Sequence, residues 1–335
     1  MKAYILNRLL LIVPTVFGVL LANFIIIQFA PGGPVENIVA RYAFGSNAQL
    51  HHNNDINELE IRFGFDKPAH VRFFKMVWDY LRFDFGRSYY RNESVLSIII
   101  EKLPVSLSLA FWSTLIMYLL AIPLGIRKAV RNGTPFDFWS SIIMNIFCAI
   151  PGFILAVLLI VLFAGGSYFN IFPVRGLVSA DWHDLNPWNR IIDYLWHITL
   201  PIICMTLSGF AMLTMLTKNS FTDEVNKLYV MTARSKGLTE RAILFRHIFR
   251  NAMLIVISGF PLTFLSALFT GSILIEVTFS LDGLGLLGFQ SALNRDYPIV
   301  FATLYIYTLM GLVFKLISDI ILTIIDPRIN FNATR

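Results

Sequence analysis

Residues 9 to 30 read LLLIVPTVFGVLLANFIIIQFA, 22 positions without a charged side chain. Wound as a helix at about 1.5 Å per residue, the run is about 33 Å long, enough to cross the hydrocarbon core of a bilayer. A cleaved signal peptide is the competing reading, but its apolar region would be about 7–15 residues ending in a small-residue cleavage site. This run is longer and stops at Pro31-Gly32-Gly33-Pro34, so it reads as a retained first helix. The rest of the chain agrees with a membrane setting. Of its 335 residues, 56% are hydrophobic and 14% charged, against roughly 25% charged for a soluble domain.

Working outward, five more runs meet the length criterion, at about 104–126, 138–163, 196–217, 252–275 and 298–325. The expected fold is therefore all-α and polytopic, with six transmembrane helices. Lys/Arg counts in the short connections orient them. Two precede the first span, three follow the second (Arg127, Lys128, Arg131), seven lie from Lys218 to Arg250, and Arg328 and Arg335 are in the tail. The alternate short loops hold Arg175 with Arg190, and Arg295. The positive-inside rule then places both termini in the cytoplasm. The implied layout is 1–30 for the N terminus and first span, 31–103 for an external loop subdomain, 104–325 for a core containing a cytoplasmic loop at 218–251, and 326–335 for a cytoplasmic tail.

The loop 31–103 carries nine Lys/Arg and still reads as external, because connections beyond roughly 60 residues no longer direct topology. Its first part, residues 42–60 with His51-His52, reads as polar and mobile. Its second part, RFGFDKPAHVRFFKMVWDYLRFDFGRSYY, alternates aromatic and basic residues at partly helical spacing. That predicts helices at the outer interface, with Trp78 and Tyr80 at headgroup level and Arg72, Lys75 and Arg82 snorkelling. Aromatic and basic residues interleaved also suit single-stranded nucleic acid, but an external position excludes that partner. Cys148 and Cys204 fall inside spans, where they read as small buried hydrophobes with no disulfide framework or zinc pattern.

Between the fourth and fifth spans lies a charged island. Ser220-Phe221-Thr222-Asp223 fits the S-x-x-D capping signature, predicting a helix from there to about Lys236 with Gly237 as its left-handed stop. Thr239 then caps a second helix, from Glu240 to about Arg250, that leads into the fifth span. Leu228, Tyr229, Ala233, Leu238, Ile243, Leu244 and Phe245 give the island faces that water disfavours. They could lie on anionic lipid or dock into a cytosolic partner, and composition leaves both open.

The island resembles the cytoplasmic coupling motif of ABC-transporter permease subunits, whose pattern is Glu-Ala-Ala, three variable residues, then Gly. Here those places hold Met231, Thr232, Ala233, then Arg234-Ser235-Lys236, then Gly237, so only the Ala and Gly are kept. TARSKGL followed by RHIFRNAM is similar to the version in peptide permeases. So are the opening YILNRLLLIVPTVFGV with FAPGGP, the later FSLDGLGLLG with RDYP, and the ending DPRI. The long first external loop resembles the B-type subunits. PLGIRKAVRNG, LIVLFAGGSYF and DYLWHITLP point to a branch that includes uptake systems for peptide-like antibiotics of the microcin C type.

The resemblance implies a type I ABC-importer permease in the bacterial inner membrane, forming half of a peptide pore beside a second homologous permease subunit. Two cytosolic ATPases would bind ATP and Mg beneath it, and a periplasmic peptide-binding protein would deliver substrate. Thr232, Ala233, Arg234, Ser235, Lys236, Gly237 and Leu238 would form the ATPase-coupling segment. Read from their own positions, Asp282, Gly283, Gly285 and Gly288 suit a glycine-bent external turn near the pore mouth, and Pro201 and Pro261, in the spans flanking the island, suit hinges.

Other motifs count against chemistry in this chain. Gly283 to Gly288 fits G-x-G-x-x-G, but it follows a membrane helix instead of a strand, so it reads as a glycine-bent turn whose rim Glu276, Asp282 and Asp296 make acidic. There is no Gly-Lys dipeptide for a Walker A loop, no H-E-x-x-H and no G-x-S-x-G. The chain is expected to have no catalytic, cofactor or metal site of its own. Lys315 and Asp319, spaced i, i+4 in the sixth span, read as a mutual pair. A stand-alone facilitator channel or secondary carrier is the rival class. It would more often show midplane charges and an internal repeat, neither of which is visible here.

Overall fold

The computed structural model describes residues 2–29, 67–91, 93–165, 168–269 and 273–325. Twelve α-helical segments occur among them: α1 (Lys2–Phe29), α2 (Ala69–Leu81), α3 (Val95–Val130), α4 (Pro135–Ala149), α5 (Gly152–Phe163), α6 (Pro187–Val225), α7 (Leu228–Ser235), α8 (Glu240–Ala242), α9 (Phe249–Phe269), α10 (Ile273–Thr278), α11 (Leu284–Asn294) and α12 (Tyr297–Ile325). A π-helical stretch, Ile243–Ile248, joins α8 to α9 without a break. No strand occurs among the described residues beyond one isolated bridge, Arg87 to Ser94.

Among the described residues, five helices are long and apolar enough to cross a membrane: Arg8–Ile26, Val95–Val130, Pro187–Val225, Glu240–Thr278 and Tyr297–Ile324. The expected third span, 138–163, is instead a pair, α4 and α5, bent by 88°. Pro151 explains the break. It has no N–H to donate, and its ring pushes the preceding residue out of the helical region, so Ile150 is extended at φ −83°, ψ 117°. Counted as one broken span, the pair brings the total to six.

The helices form two compact units. The larger comprises the described residues of 103–286 and 313–325. One of its clusters gathers Leu109, Leu155, Leu200, Cys204, Ile275 and Phe279. A second gathers Met117, Ala121, Ala129, Phe221, Val230, Ile243, Ile248 and Val256. In hydrocarbon the lipid is as apolar as leucine, so close packing and interhelical hydrogen bonds hold such helices together, more than expulsion of water. Ser318 on α12, for example, donates its hydroxyl to the carbonyl of Ser258 on α9.

The smaller unit comprises the described residues of 2–102 and 287–312. Phe73 of α2 sits 5.4 Å edge-on from both Phe17 and Phe24 of α1. Trp78 is exposed, with the Arg82 guanidinium 4.3 Å over its ring. Tyr80, expected at headgroup level, is instead buried between Phe85 and Tyr305. Its position, seven residues after Phe73, puts it on the packed face of α2. Cys204 is buried as expected, but Cys148 lies on the chain's surface. Residues 42–60, with His51-His52, lie outside the described residues, as do Pro31-Gly32-Gly33-Pro34 and the DPRI segment.

Candidate functional site: the coupling bend and its anchors

The island builds a helix, a bend and a second helix, but its start differs from expectation. Ser220 to Val225 is the end of α6, not a new helix. Phe221 is fully buried and Glu224 largely so, which holds this turn in the α6 register and overrides the local capping signature. The break falls at Lys227, extended at φ −78°, ψ 150°, and α7 follows it.

Gly237 stops α7 with φ +79°. Its N–H donates to the Arg234 carbonyl at 2.9 Å, and the Leu238 N–H reaches back to the Ala233 carbonyl at 3.3 Å. These two bonds are the paired closures of a Schellman cap, which needs a left-handed residue at this place. Nothing lies within 4 Å of where a Gly237 side chain would begin. Glycine is therefore required for its backbone conformation and not for space. Thr239 Oγ1 then accepts the Ala242 N–H at 3.3 Å and starts the second helix. Across the bend, Arg234 Nε and Nη2 donate to Glu240 Oε1 and Oε2 at 2.7 and 3.1 Å.

Two faces of α7 do different things. Val230 and Ala233 are buried in the cluster with Phe221, Ile243 and Ile248. Leu228 is 79% exposed and Met231 57% exposed, and Thr232, Arg234, Ser235, Lys236 and Leu238 are exposed with them. Just beyond the bend, Phe245 is 57% exposed. The segment is thus anchored inward and presents leucine, methionine and phenylalanine among arginines and lysine outward.

Polar anchors that the sequence reading did not pick out reinforce this. The Tyr229 hydroxyl donates to Glu224 Oε2 at 2.6 Å, and Asn251 Nδ2 donates to the Tyr229 oxygen at 3.4 Å. One tyrosine therefore ties α7 to the end of α6 and to the start of α9. Burial, then the bond to Glu224, pushes its phenol up to about 12, so it remains a donor at neutral pH. Nearby, the Lys128 ammonium is fully buried. It donates to the Asp137 carbonyl at 2.9 Å and to Ser140 and Ser141 Oγ at 2.8 and 2.7 Å, with Asp137 Oδ1 at 3.1 Å as its counter-charge. Lys218 on α6 donates to Asp137 Oδ2 at 2.7 Å. Charges that served only to orient spans in the sequence thus join α3, α4 and α6. Of the i, i+4 pair Lys315 and Asp319 in α12, Lys315 is exposed and Asp319 half-buried.

The glycine-rich segment is organised around a buried acid. Glu276 is fully buried, not part of an acidic rim. Its Oε1 accepts from Ser106 Oγ at 2.7 Å and its Oε2 from the Leu286 N–H at 2.8 Å, in the first turn of α11. A side chain at Gly283 would begin 2.6 Å from that carboxylate. Here glycine answers a close approach, and the positive φ of the turn belongs to Ser280. Asp282 is exposed, Gly285 and Gly288 lie within α11 and not in the turn, and Asp296 in the smaller unit is buried. Pro201 and Pro261 are both buried inside unbroken helices, α6 and α9.

Residues 121–331 match the family of binding-protein-dependent transport system inner membrane components, and the chain belongs to that family. It is therefore a multi-pass inner-membrane component of an ABC transport system, which works in a complex with partner subunits. It is 55% identical to the inner membrane ABC transporter permease protein YejB of Escherichia coli O157:H7, over 99% of this chain and 100% of that one. It is also 55% identical to the peptidoglycan transport system permease protein YejB of Agrobacterium fabrum (strain C58), over 99% of each. The oligopeptide transport system permease protein AppB of Bacillus subtilis (strain 168) is 32% identical over 99% of this chain and 100% of that one. Among solved structures, an inward-facing MetNI methionine ABC transporter chain aligns over 69% of this chain and 97% of its own, with 16% identity and a TM-score of 0.49.

Proposed function

We propose that this chain is one permease subunit of an ATP-driven importer of peptides or peptide-like compounds, forming half of the pore beside a second homologous permease. Relatives named for oligopeptide and peptidoglycan transport, similar over almost their whole length, support that substrate class. Both termini and the bend at Gly237 face the cytoplasm in this reading, in line with the seven Lys/Arg between Lys218 and Arg250. A periplasmic peptide-binding protein delivers substrate to the opposite side.

The observation that carries the coupling role is the divided character of α7. Its inner face is buried among α6 and α9 residues, while Leu228 and Met231 stand exposed beside basic side chains. Exposed apolar anchors ringed by charge suit a groove on a partner protein. Two cytosolic ATPases, which bind the ATP and Mg, supply that groove. Movement of the bend passes into α6 and α9 through Val230, Ala233 and the Glu224–Tyr229–Asn251 chain. Pro201 and Pro261, each interrupting the hydrogen-bond ladder of its helix, serve as hinges for that movement.

The test is a detergent pull-down of this chain expressed with its neighbouring genes, with Gly237→Val as the matched control. Bound ATPases are expected in both preparations, with stimulation by peptide-loaded binding protein only in the wild type. Purification of the chain alone, still conducting solute in liposomes, would instead support a stand-alone carrier.

A further inference from the structure

At the end of α6 away from the bend, a cavity of about 460 Å³ opens between the first turns of the helix and the segment that precedes it. Phe172 and Trp196 form an aromatic wall with ring centroids 5.4 Å apart, and Asp193 and His197 line its polar side. Asn170 and Asn189 also line it.

The fold builds this site deliberately. Asn186 caps α6 by accepting the Asn189 N–H at 2.8 Å, and Pro187 occupies the first turn, where a missing N–H costs nothing. That start puts Asp193, Trp196 and His197 within one turn of each other. Ser179 clamps the incoming segment to Asp193, donating its N–H to Oδ2 at 2.8 Å and its hydroxyl to Oδ1 at 2.5 Å. His197 Nδ1 bonds the Asp193 carbonyl at 2.8 Å, which fixes the imidazole as a wall.

The charge balance is incomplete. A carboxylate has about four acceptor positions, and two strong donors occupy Asp193. Among the described residues, the basic neighbour within 4.0 Å is His197, at 3.5 Å. Arg190, three residues earlier, is turned away, donating to the carbonyls of Leu185 and His183 and lying 5.0 Å over Trp182. A carboxylate with no lysine or arginine within 4.0 Å among the described residues, in a cavity also lined by a tryptophan and a phenylalanine, is a combination that attracts a cationic ammonium.

We propose that this cavity binds the amino-terminal ammonium of a peptide. The ammonium pairs with Asp193 and lies against Trp196 and Phe172, and the Asn170 and Asn189 amides take the first peptide groups. The identification of the ligand as a peptide rests on the importer reading above, in which this end of α6 faces the periplasm. The cavity then gives this subunit its own preference for free amino termini, separate from the binding protein's.

The full-length chain is placed in nanodiscs of phosphatidylcholine and phosphatidylglycerol, which contain no lipid primary amine, and titrated with radiolabelled trialanine and N-acetyl-trialanine without nucleotide. Saturable binding of trialanine is expected, weakened at least about tenfold by acetylation, by Asp193→Asn and by Trp196→Leu. Equal binding of the two peptides, unchanged binding in Asp193→Asn, or no saturable binding overturns the proposal. So does loss of trialanine binding when phosphatidylethanolamine is restored, which would assign the cavity to a lipid headgroup. ATPase association is scored separately by pull-down, so failure of the importer reading and failure of this site give different results.

Discussion

Asp137→Asn is a demanding perturbation of the scaffold beneath the coupling bend. Asparagine has nearly the same shape, so the carbonyl of residue 137 and the Ser140 and Ser141 hydroxyls can still accept the three ammonium protons of Lys128. What disappears is the counter-charge 3.1 Å away. Lys128 has no exposed side-chain surface, so its charge cannot reach solvent without unravelling the end of α3. Lys218, with its side chain 14% exposed, can swing outward and loses less. Breaking a buried pair from one side typically costs about 3–5 kcal/mol. The three surviving hydrogen bonds and the escape of Lys218 argue for the lower end, about 3 kcal/mol. Lys128→Met in the Asp137→Asn background removes the stranded charge and should recover much of that loss, a coupling of at least about 1.5 kcal/mol between the two sites. The assay is equilibrium unfolding of the reconstituted chain by SDS titration, for wild type, both single variants and the double variant. Strictly additive losses, or an Asp137→Asn variant within about 0.5 kcal/mol of wild type, would show that the cluster does not hold α3, α4 and α6 together.

At Gly237 the strain is backbone alone, because the site is open. The expected order of peptide-stimulated ATPase activity is therefore Gly, then Asn, then Ala, then Val, with non-glycine residues costing about 1–2 kcal/mol at the bend; normal peptide uptake by Gly237→Val would refute this. Gly283→Ala places a methyl group 2.6 Å from the buried Glu276 carboxylate, and a cost of about 1–3 kcal/mol should appear as faster hydrogen exchange over residues 281–286. Burial, the largest effect, raises the Asp296 carboxyl from its ordinary value despite its bonds from Ser88 and the Tyr89 N–H. Its contribution to stability is then present below the ordinary aspartate value near 3.9 and is lost as pH rises through the raised one. Protection of residues 84–91 should accordingly fall as pH rises above the ordinary aspartate value, and Asp296→Asn should flatten that profile. If Pro261→Ala leaves both transport and ATPase stimulation unchanged, the hinge role of Pro261 is excluded.

Local rules were sufficient for several features of this protein. An uncharged run of 22 residues can only be satisfied in lipid by a helix, so the polytopic, all-α class was legible without coordinates. A glycine followed by a threonine cap marks a helix stop and restart wherever it falls, which is why Gly237 and Thr239 were read correctly from the sequence alone. Such rules failed where a distant contact outweighed a nearby signal. Ser220 looks like a cap, but Phe221 and Glu224 are held in the α6 register by the packing around them. Gly283, Gly285 and Gly288 share a pattern in the sequence, yet a buried carboxylate seven residues before Gly283 dictates only that position. Charges showed the same limit. Lys128, Asp137 and Lys218 are far apart in the chain, and the energy that joins them depends on mutual burial, a quantity that exists only once α3, α4 and α6 have packed. The sequence by itself determined which segments enter the membrane and where the charged island bends, since those follow from composition and backbone preference over a few residues. Only the tertiary structure decided which acids are buried, which tyrosine ties the bend to its helices and where an aromatic cavity faces an under-neutralised aspartate, because each depends on side chains brought together from separate helices and loops.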